Sequence, residues 1–121
     1  MIEVLNVGPD VLAYRINGRI ERVDIERAFI EVDRRLAREG PLRAYVEVLS
    51  LDGISLDALG RDVWLGMQRL GLFPRLEKVA LVSDSDWLQT LPSLPNPLMP
   101  RLEARAFPLQ ERAQAQAWVK A

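Results

Sequence analysis

The chain contains no cysteine and no histidine. Without cysteine there can be no disulfide and no thiolate nucleophile, and without either residue zinc sites of the Cys/His type are excluded. Without histidine, the side chain that titrates nearest neutral pH is missing, so any acid–base chemistry would fall to carboxylates, hydroxyls, Lys or Arg. Charge of one sign is also lacking: 16 Lys+Arg face 17 Asp+Glu, a formal net charge of -1. That balance argues against a nucleic-acid binder and against a polybasic membrane anchor. No apolar run approaches the ~20 residues needed to span a bilayer. The start, Met1-Ile2-Glu3-Val4, lacks the basic and then apolar pattern of a secretory signal, which sets the expectation of a cytoplasmic protein. Gly-rich phosphate loops of the Walker and dinucleotide types are absent as well.

What is present is 121 residues, 49% hydrophobic and 27% charged, which suits one globular domain. The pattern alternates strands and helices. Residues 2–7 and 11–18 read as strands joined by the turn Gly8-Pro9-Asp10, an antiparallel hairpin in which Leu12, Tyr14 and Ile16 face one way. Ile25, Phe29, Val32 and Leu36 form one apolar stripe and predict a helix over 22–39, stopped by Gly40-Pro41. Arg27, Glu31, Arg34, Arg35 and Arg38 fall largely outside that stripe. A third strand is expected over 42–49, then a loop turning at Asp52-Gly53, and a helix over 56–71 with Ser55 as its N-cap. The apolar run Val79 to Val82 predicts a central parallel strand within 78–83, followed by a short helix opened by Asp84-Ser85-Asp86. Four prolines between 92 and 100 exclude regular helix there. A fifth strand over 101–107 and a helix over 110–120, with Ala113, Ala117 and Trp118 turned inward, complete the chain. The order β-β-α-β-α-β-α-β-α predicts an α/β fold with a mixed, mainly parallel five-stranded sheet and four helices. Arg15, Arg43, Glu47, Glu103 and Arg105 alternate with apolar neighbours and are expected to form cross-strand ion pairs on a sheet face that the helices leave uncovered.

Several segments together carry a resemblance: Asn17-Gly18 ahead of the long helix, Leu49 to Ser55, the run Lys78-Val-Ala-Leu-Val-Ser-Asp-Ser-Asp-Trp87, and Ala104-Arg-Ala-Phe-Pro-Leu109 before an Ala-rich helix with Trp118. They resemble the SpoIIAA-like family, small bacterial proteins of STAS and CRAL-TRIO type fold. The resemblance implies helices packed chiefly on one face of the sheet. Its STAS relatives are anti-sigma factor antagonists switched by phosphorylation of a Ser at the start of the helix after the third strand, and its CRAL-TRIO relatives hold lipids in an apolar pocket.

Two candidate sites follow. Ser55, with Asp52 and Gly53, is the position most like the STAS switch, because a phosphate at a helix N-terminus is stabilised by backbone N–H groups and alters a partner-facing surface. The order Asp52-Gly53-Ile54-Ser55 departs from the Asp-Ser-x-Gly turn of that switch, and a plain N-cap is the commoner role of a Ser before a helix. The second candidate is a ligand pocket from Trp64, Asp84, Trp87, Leu94, Leu98 and Met99, at the carboxyl edge of a strand where open α/β sheets bind ligands. The same residues can serve as core and cap instead. The expectation is a non-enzymatic protein-interaction or regulatory module, with a carrier of a small apolar or lipid-like ligand as the alternative. No catalytic residue, metal or cofactor is expected, nor nucleic acid; a homodimer is, on the general frequency of two-fold assemblies.

Overall fold

The computed structural model describes residues 1–50, 52–54, 75–84 and 103–121. Its strands are β1 (Ile2–Leu5), β2 (Val11–Ile16), β3 (Arg19–Ile20), β4 (Leu42–Val48), β5 (Gly53–Ile54), β6 (Leu76–Ser83) and β7 (Glu103–Phe107). Among the described residues there are two α-helices, α1 (Arg22–Leu36) and α2 (Arg112–Lys120), the second entered through a 3-10 turn over Leu109–Glu111. The expected helices over 56–71 and 85–91 and the proline-rich segment lie outside the described residues.

Five strands form one sheet in the order β1-β2-β4-β6-β7. The hairpin β1–β2 is antiparallel, and β2–β4, β4–β6 and β6–β7 are all parallel. The strand over 76–83 is interior, but the middle position belongs to β4. A second ladder was not expected: Arg19–Ile20 pairs in parallel with Gly53–Ile54. Asp52-Gly53 is therefore the entry to a short strand and not a free turn. Two-residue strands are too short to show alternation, so pattern alone does not reveal them.

Strand alternation divides the core in two. Leu12 and Leu42 pack with Val32 of α1, joined by Tyr14, Leu36, Ala44 and Leu76. Ile2 and Ile20 extend that side toward Ile25. On the other side, Val11, Ala13, Tyr45, Ala80, Val82 and Phe107 pack with Ala115 and Val119 of α2. The two described helices thus cover opposite faces, while the expectation of helices chiefly on one also involves the two outside the described residues. The physical reason is that apolar side chains stand on both faces of the interior strands, Leu12 and Leu42 on one and Ala13, Ala80 and Val82 on the other, and each set needs a cover.

Helix α1 ends at Leu36, three residues before the predicted stop. Arg75 reaches its free carbonyls, donating to Leu36 O at 2.9 Å and to Gly40 O from Nε at 3.1 Å, with a further bond to Arg38 O. A cation there also answers the negative end of the helix dipole. The start of α1 is held by the buried Asp24, whose carboxylate accepts the Glu21 N–H at 2.8 Å. That bond, aided by the Ile2 N–H, holds the Asp24 carboxyl below its ordinary range although burial pushes the other way.

The inward face of α2 also differs from expectation. Ala115 and Val119 are fully buried, whereas Ala113 and Ala117 are exposed and Trp118 is half-buried. The Ala-rich sequence gives little contrast between faces, so packing decides the phase. Ala115 is fully buried in the cluster with Tyr45 and Ala80, where an isobutyl side chain in place of the methyl cannot fit without displacing neighbours. We expect Ala115→Leu to destabilise the fold by about 1–3 kcal/mol, and Ala113→Leu to stay within about 0.5 kcal/mol. Urea denaturation of the two variants checks this, and equal effects would refute the assigned helix phase.

Candidate functional site

The carboxyl edge of the sheet is where β2, β4 and β6 end and where the segments holding the predicted switch and pocket residues depart. Its floor is polar. Arg15 and Glu47 stand opposite one another in the β2–β4 register, one residue before both strands end. Arg15 Nε donates to Glu47 Oε2 at 2.5 Å, and Tyr45, two residues back on the same face, donates its hydroxyl to Oε1 at 2.7 Å. Arg112, on the first turn of α2, comes to 3.8 Å. Glu3 on β1 approaches the other side of Arg15 at 3.5 Å. Glu47 is completely buried.

Burial pushes the Glu47 carboxyl up, but the hydrogen bonds from Tyr45 and Arg15 and the charges of Arg15 and Arg112 outweigh it and hold the group below its ordinary range. The Tyr45 hydroxyl is pushed up to about 12, first by burial and then by its bond to the Glu47 carboxylate. Both groups are fixed at neutral pH, Glu47 charged and Tyr45 protonated.

The expected set of strand charges does share one face, but α2 covers part of that face. Arg43 donates to the terminal helix carbonyl Val119 O at 2.9 Å, and Lys78 to Trp118 O at 3.3 Å. The carboxylate partner of Arg43 is Glu77 at 3.4 Å, brought near by the register shift between Leu42 and Arg43. Arg105 lies over the rings of Phe107 and Trp118, at 5.1 and 5.4 Å from their centres. Within the expected set, and among the described residues, Arg15–Glu47 is the cross-strand ion pair, with Arg15 and Arg43 also reaching Glu3 and Glu77 outside that set. Sequence reading missed Tyr45 and Arg112 as its partners. The period-two spacing of Tyr45 and Glu47 was the available signal; Arg112 gave none, being 65 residues away in the chain by the numbering.

Above this floor the chain after β4 is tied down. Gly18 N donates to Ser50 Oγ at 2.9 Å, and Ser50 Oγ in turn donates to Asn17 Oδ1 at 2.8 Å. Asp52 N donates to Gly18 O at 2.9 Å, and β5 then pairs with β3. Gly18 and Gly53 take φ of +79° and +151°, values that a side chain would strain. Asp52 is exposed, and Leu49, three residues before it, is 40% exposed. Ser55, Trp64, Trp87, Leu94, Leu98 and Met99 lie outside the described residues. Asp84 is described and exposed, and its carboxylate accepts the Leu109 N–H at 3.0 Å. It fastens the end of β6 to the 3-10 turn leading into α2.

The polar floor makes an asymmetric prediction. Removing Arg15 leaves a buried carboxylate with less compensation, whereas removing Glu47 frees an Arg that already reaches water and Glu3. Arg15→Met is expected to cost about 3–5 kcal/mol, and Glu47→Met clearly less, in denaturation at pH 7. Glu47 has a depressed native pKa, so its stabilisation is complete above the unfolded carboxylate value of about 4.3 and is lost as pH falls through the native value. The stability difference between the wild type and Glu47→Met should therefore narrow in acid. A difference constant from pH 7 to pH 3 would contradict this.

No helix among the described residues is long and apolar enough to cross a membrane. A family model described as SpoIIAA-like matches residues 11–120. No curated protein matches the sequence. Among solved structures, an uncharacterised protein from Shewanella loihica with a SpoIIAA-like fold superposes with a TM-score of 0.71, covering 98% of this chain and 92% of its own, at 23% identity. At that identity the likeness is one of fold. With the family model spanning both helices and all strands but β1, the chain belongs to the SpoIIAA-like family.

Proposed function

We propose that the domain is a non-enzymatic, STAS-like interaction module that meets a protein partner through the segment after β4. The observation that carries this reading is the tethered segment Leu49 to Ile54. Ser50 and Asp52 bind it to Asn17 and Gly18, and the β3–β5 ladder extends that hold. A loop fixed before binding loses little conformational freedom on docking. It offers an exposed apolar side chain, Leu49, three residues before an exposed carboxylate, Asp52, the apolar and polar components of protein interfaces. Ser55 follows directly after β5, and a phosphate there would add nearly two negative charges three residues beyond Asp52. The partner is a cytoplasmic protein in this reading, and the modification of Ser55 is its switch.

Photo-crosslinking in the source cells tests the surface. A crosslinking residue at position 52 should give adducts of one discrete protein mass, and one at exposed position 113 should give none. Leu49→Glu beside a crosslinker at position 52, or Asp52→Lys beside one at position 49, should reduce the adduct by ~tenfold, an interface contribution of somewhat over 1 kcal/mol. Native mass spectrometry reads phosphate, bound ligand and oligomeric state in one measurement. A co-purifying lipid-like mass with no adduct at position 52 would overturn the interaction reading in favour of the carrier.

A further inference from the structure

A concavity lies at the opposite, amino edge of the sheet. It has a volume of about 370 Å³ and is lined by Asn6, Pro9, Glu31, Arg34, Arg35 and Arg38. We propose that this cleft binds a small phosphorylated anion, with Arg34 and Arg38 as the groups that hold it and Arg35 as the positioning residue.

The charges establish the sign of the ligand. Glu31 is largely buried and lies 3.0 Å from Arg35 Nε and 3.4 Å from Arg34 Nη1. Two guanidinium groups share this carboxylate and Arg38 adds a third positive charge, so the lining keeps two positive charges in excess. Those charges have no structural duty that uses them up. The end of α1, where surface arginines ordinarily cap carbonyls, is served by Arg75 from outside the cleft. Among the described residues the Arg38 side chain donates to Pro9 O, at 3.4 Å, and Arg34 remains 72% exposed.

The geometry adds preorganisation. Arg35 is mostly buried, binds Glu31, and donates to Gly8 O at 3.1 Å and to Pro9 O. It thereby clamps the β1–β2 turn onto α1 and fixes the distance between the two walls. Arg34 stands in the last turn of α1 and Arg38 two residues past its end, and both line the same cleft. Two guanidinium forks on one cleft suit an anion with several oxygens in three dimensions, such as a phosphoryl group, better than a single planar carboxylate. The volume falls at the small end of ligand sites. The lining has no aromatic side chain and one apolar residue, Pro9, so a compact phosphate fits and a long acyl chain does not. The site lies across the sheet from the proposed partner surface and does not depend on it.

The test uses inorganic pyrophosphate as the probe, with inorganic phosphate and citrate as comparison arms at constant ionic strength, followed by amide NMR of the full chain. Pyrophosphate should give saturable shifts concentrated at residues 6–10 and 31–39, and inorganic phosphate weaker shifts at the same positions. Citrate should bind at least ~tenfold more weakly than pyrophosphate, and the double variant Arg34→Gln/Arg38→Gln should lose ~tenfold or more in affinity. Arg22→Gln/Arg27→Gln, which makes the same change in net charge on the same helix, should leave binding unaltered. Should the double variant not fold, Arg38→Gln alone gives the same reading with a smaller loss. The proposal is overturned by absence of saturable binding, by shifts spread over all arginines, by equal binding of citrate, or by retained affinity in the cleft variants.

Discussion

Glu47 brings a negative charge into a place that water does not reach, and much of the sheet is arranged around neutralising it. A lone carboxylate there would cost several kcal/mol or shift to its neutral form. Arg15 supplies the counter-charge from the neighbouring strand, Tyr45 a hydrogen bond from the same strand, and Arg112 a more distant charge from α2. These three come from different parts of the chain, so the network can exist only when β2, β4 and α2 are all in place. Register is fixed by the same requirement. A slip of one residue between β2 and β4 would put Arg15 on the wrong face and leave Glu47 beside apolar neighbours. A buried pair of this kind adds little net stability compared with a well-packed apolar core, but an unmatched one is penalised heavily. In this domain it serves to specify one arrangement of strands and the docking of α2 on the second face.

The two edges of the sheet divide the remaining polar chemistry. At the carboxyl edge, side-chain to backbone bonds from Ser50 and the parallel pairing of β3 with β5 hold a short exposed segment close to the β2–β3 connection. At the amino edge, arginines gather: Arg75 closes α1, Arg43 and Lys78 reach the end of α2, and Arg34, Arg35 and Arg38 line a cleft. This separation follows from the two described helices running back along the sheet, which brings the C-termini of α1 and α2 to the end where strands begin. Cations favour helix C-termini, so the amino edge collects them even in a chain of nearly balanced charge.

Much of this was legible in the residues. Alternation in Leu12, Tyr14 and Ile16 identified the face that meets α1, and the stripe of Ile25, Phe29, Val32 and Leu36 identified the helix that meets it. The turn Gly8-Pro9-Asp10 marked the hairpin, and the crossover order gave three parallel pairings. Other features were illegible for physical reasons. Ladders of two residues carry no period. An Ala-rich helix carries almost no moment, so its buried face could not be read ahead of Ala115 and Val119. Buried charges on α1, Asp24 and Glu31, look in sequence like solvent-facing residues, because what permits their burial is a partner and not a pattern. Asp52 and Gly53 were recognised as special, but for a turn and not for the start of a paired strand.

The sequence by itself determined the class of the domain: an α/β chain without thiol or imidazole, whose apolar periods demand a mixed sheet with covering helices. Periodicity acts over a few residues, so it survives in the linear text. Only the tertiary structure decided which face each helix covers, which carboxylate is buried, and which arginines stand together. Those outcomes depend on pairings between residues tens of positions apart, and their energies come from burial and counter-charge, which exist only once the strands have met.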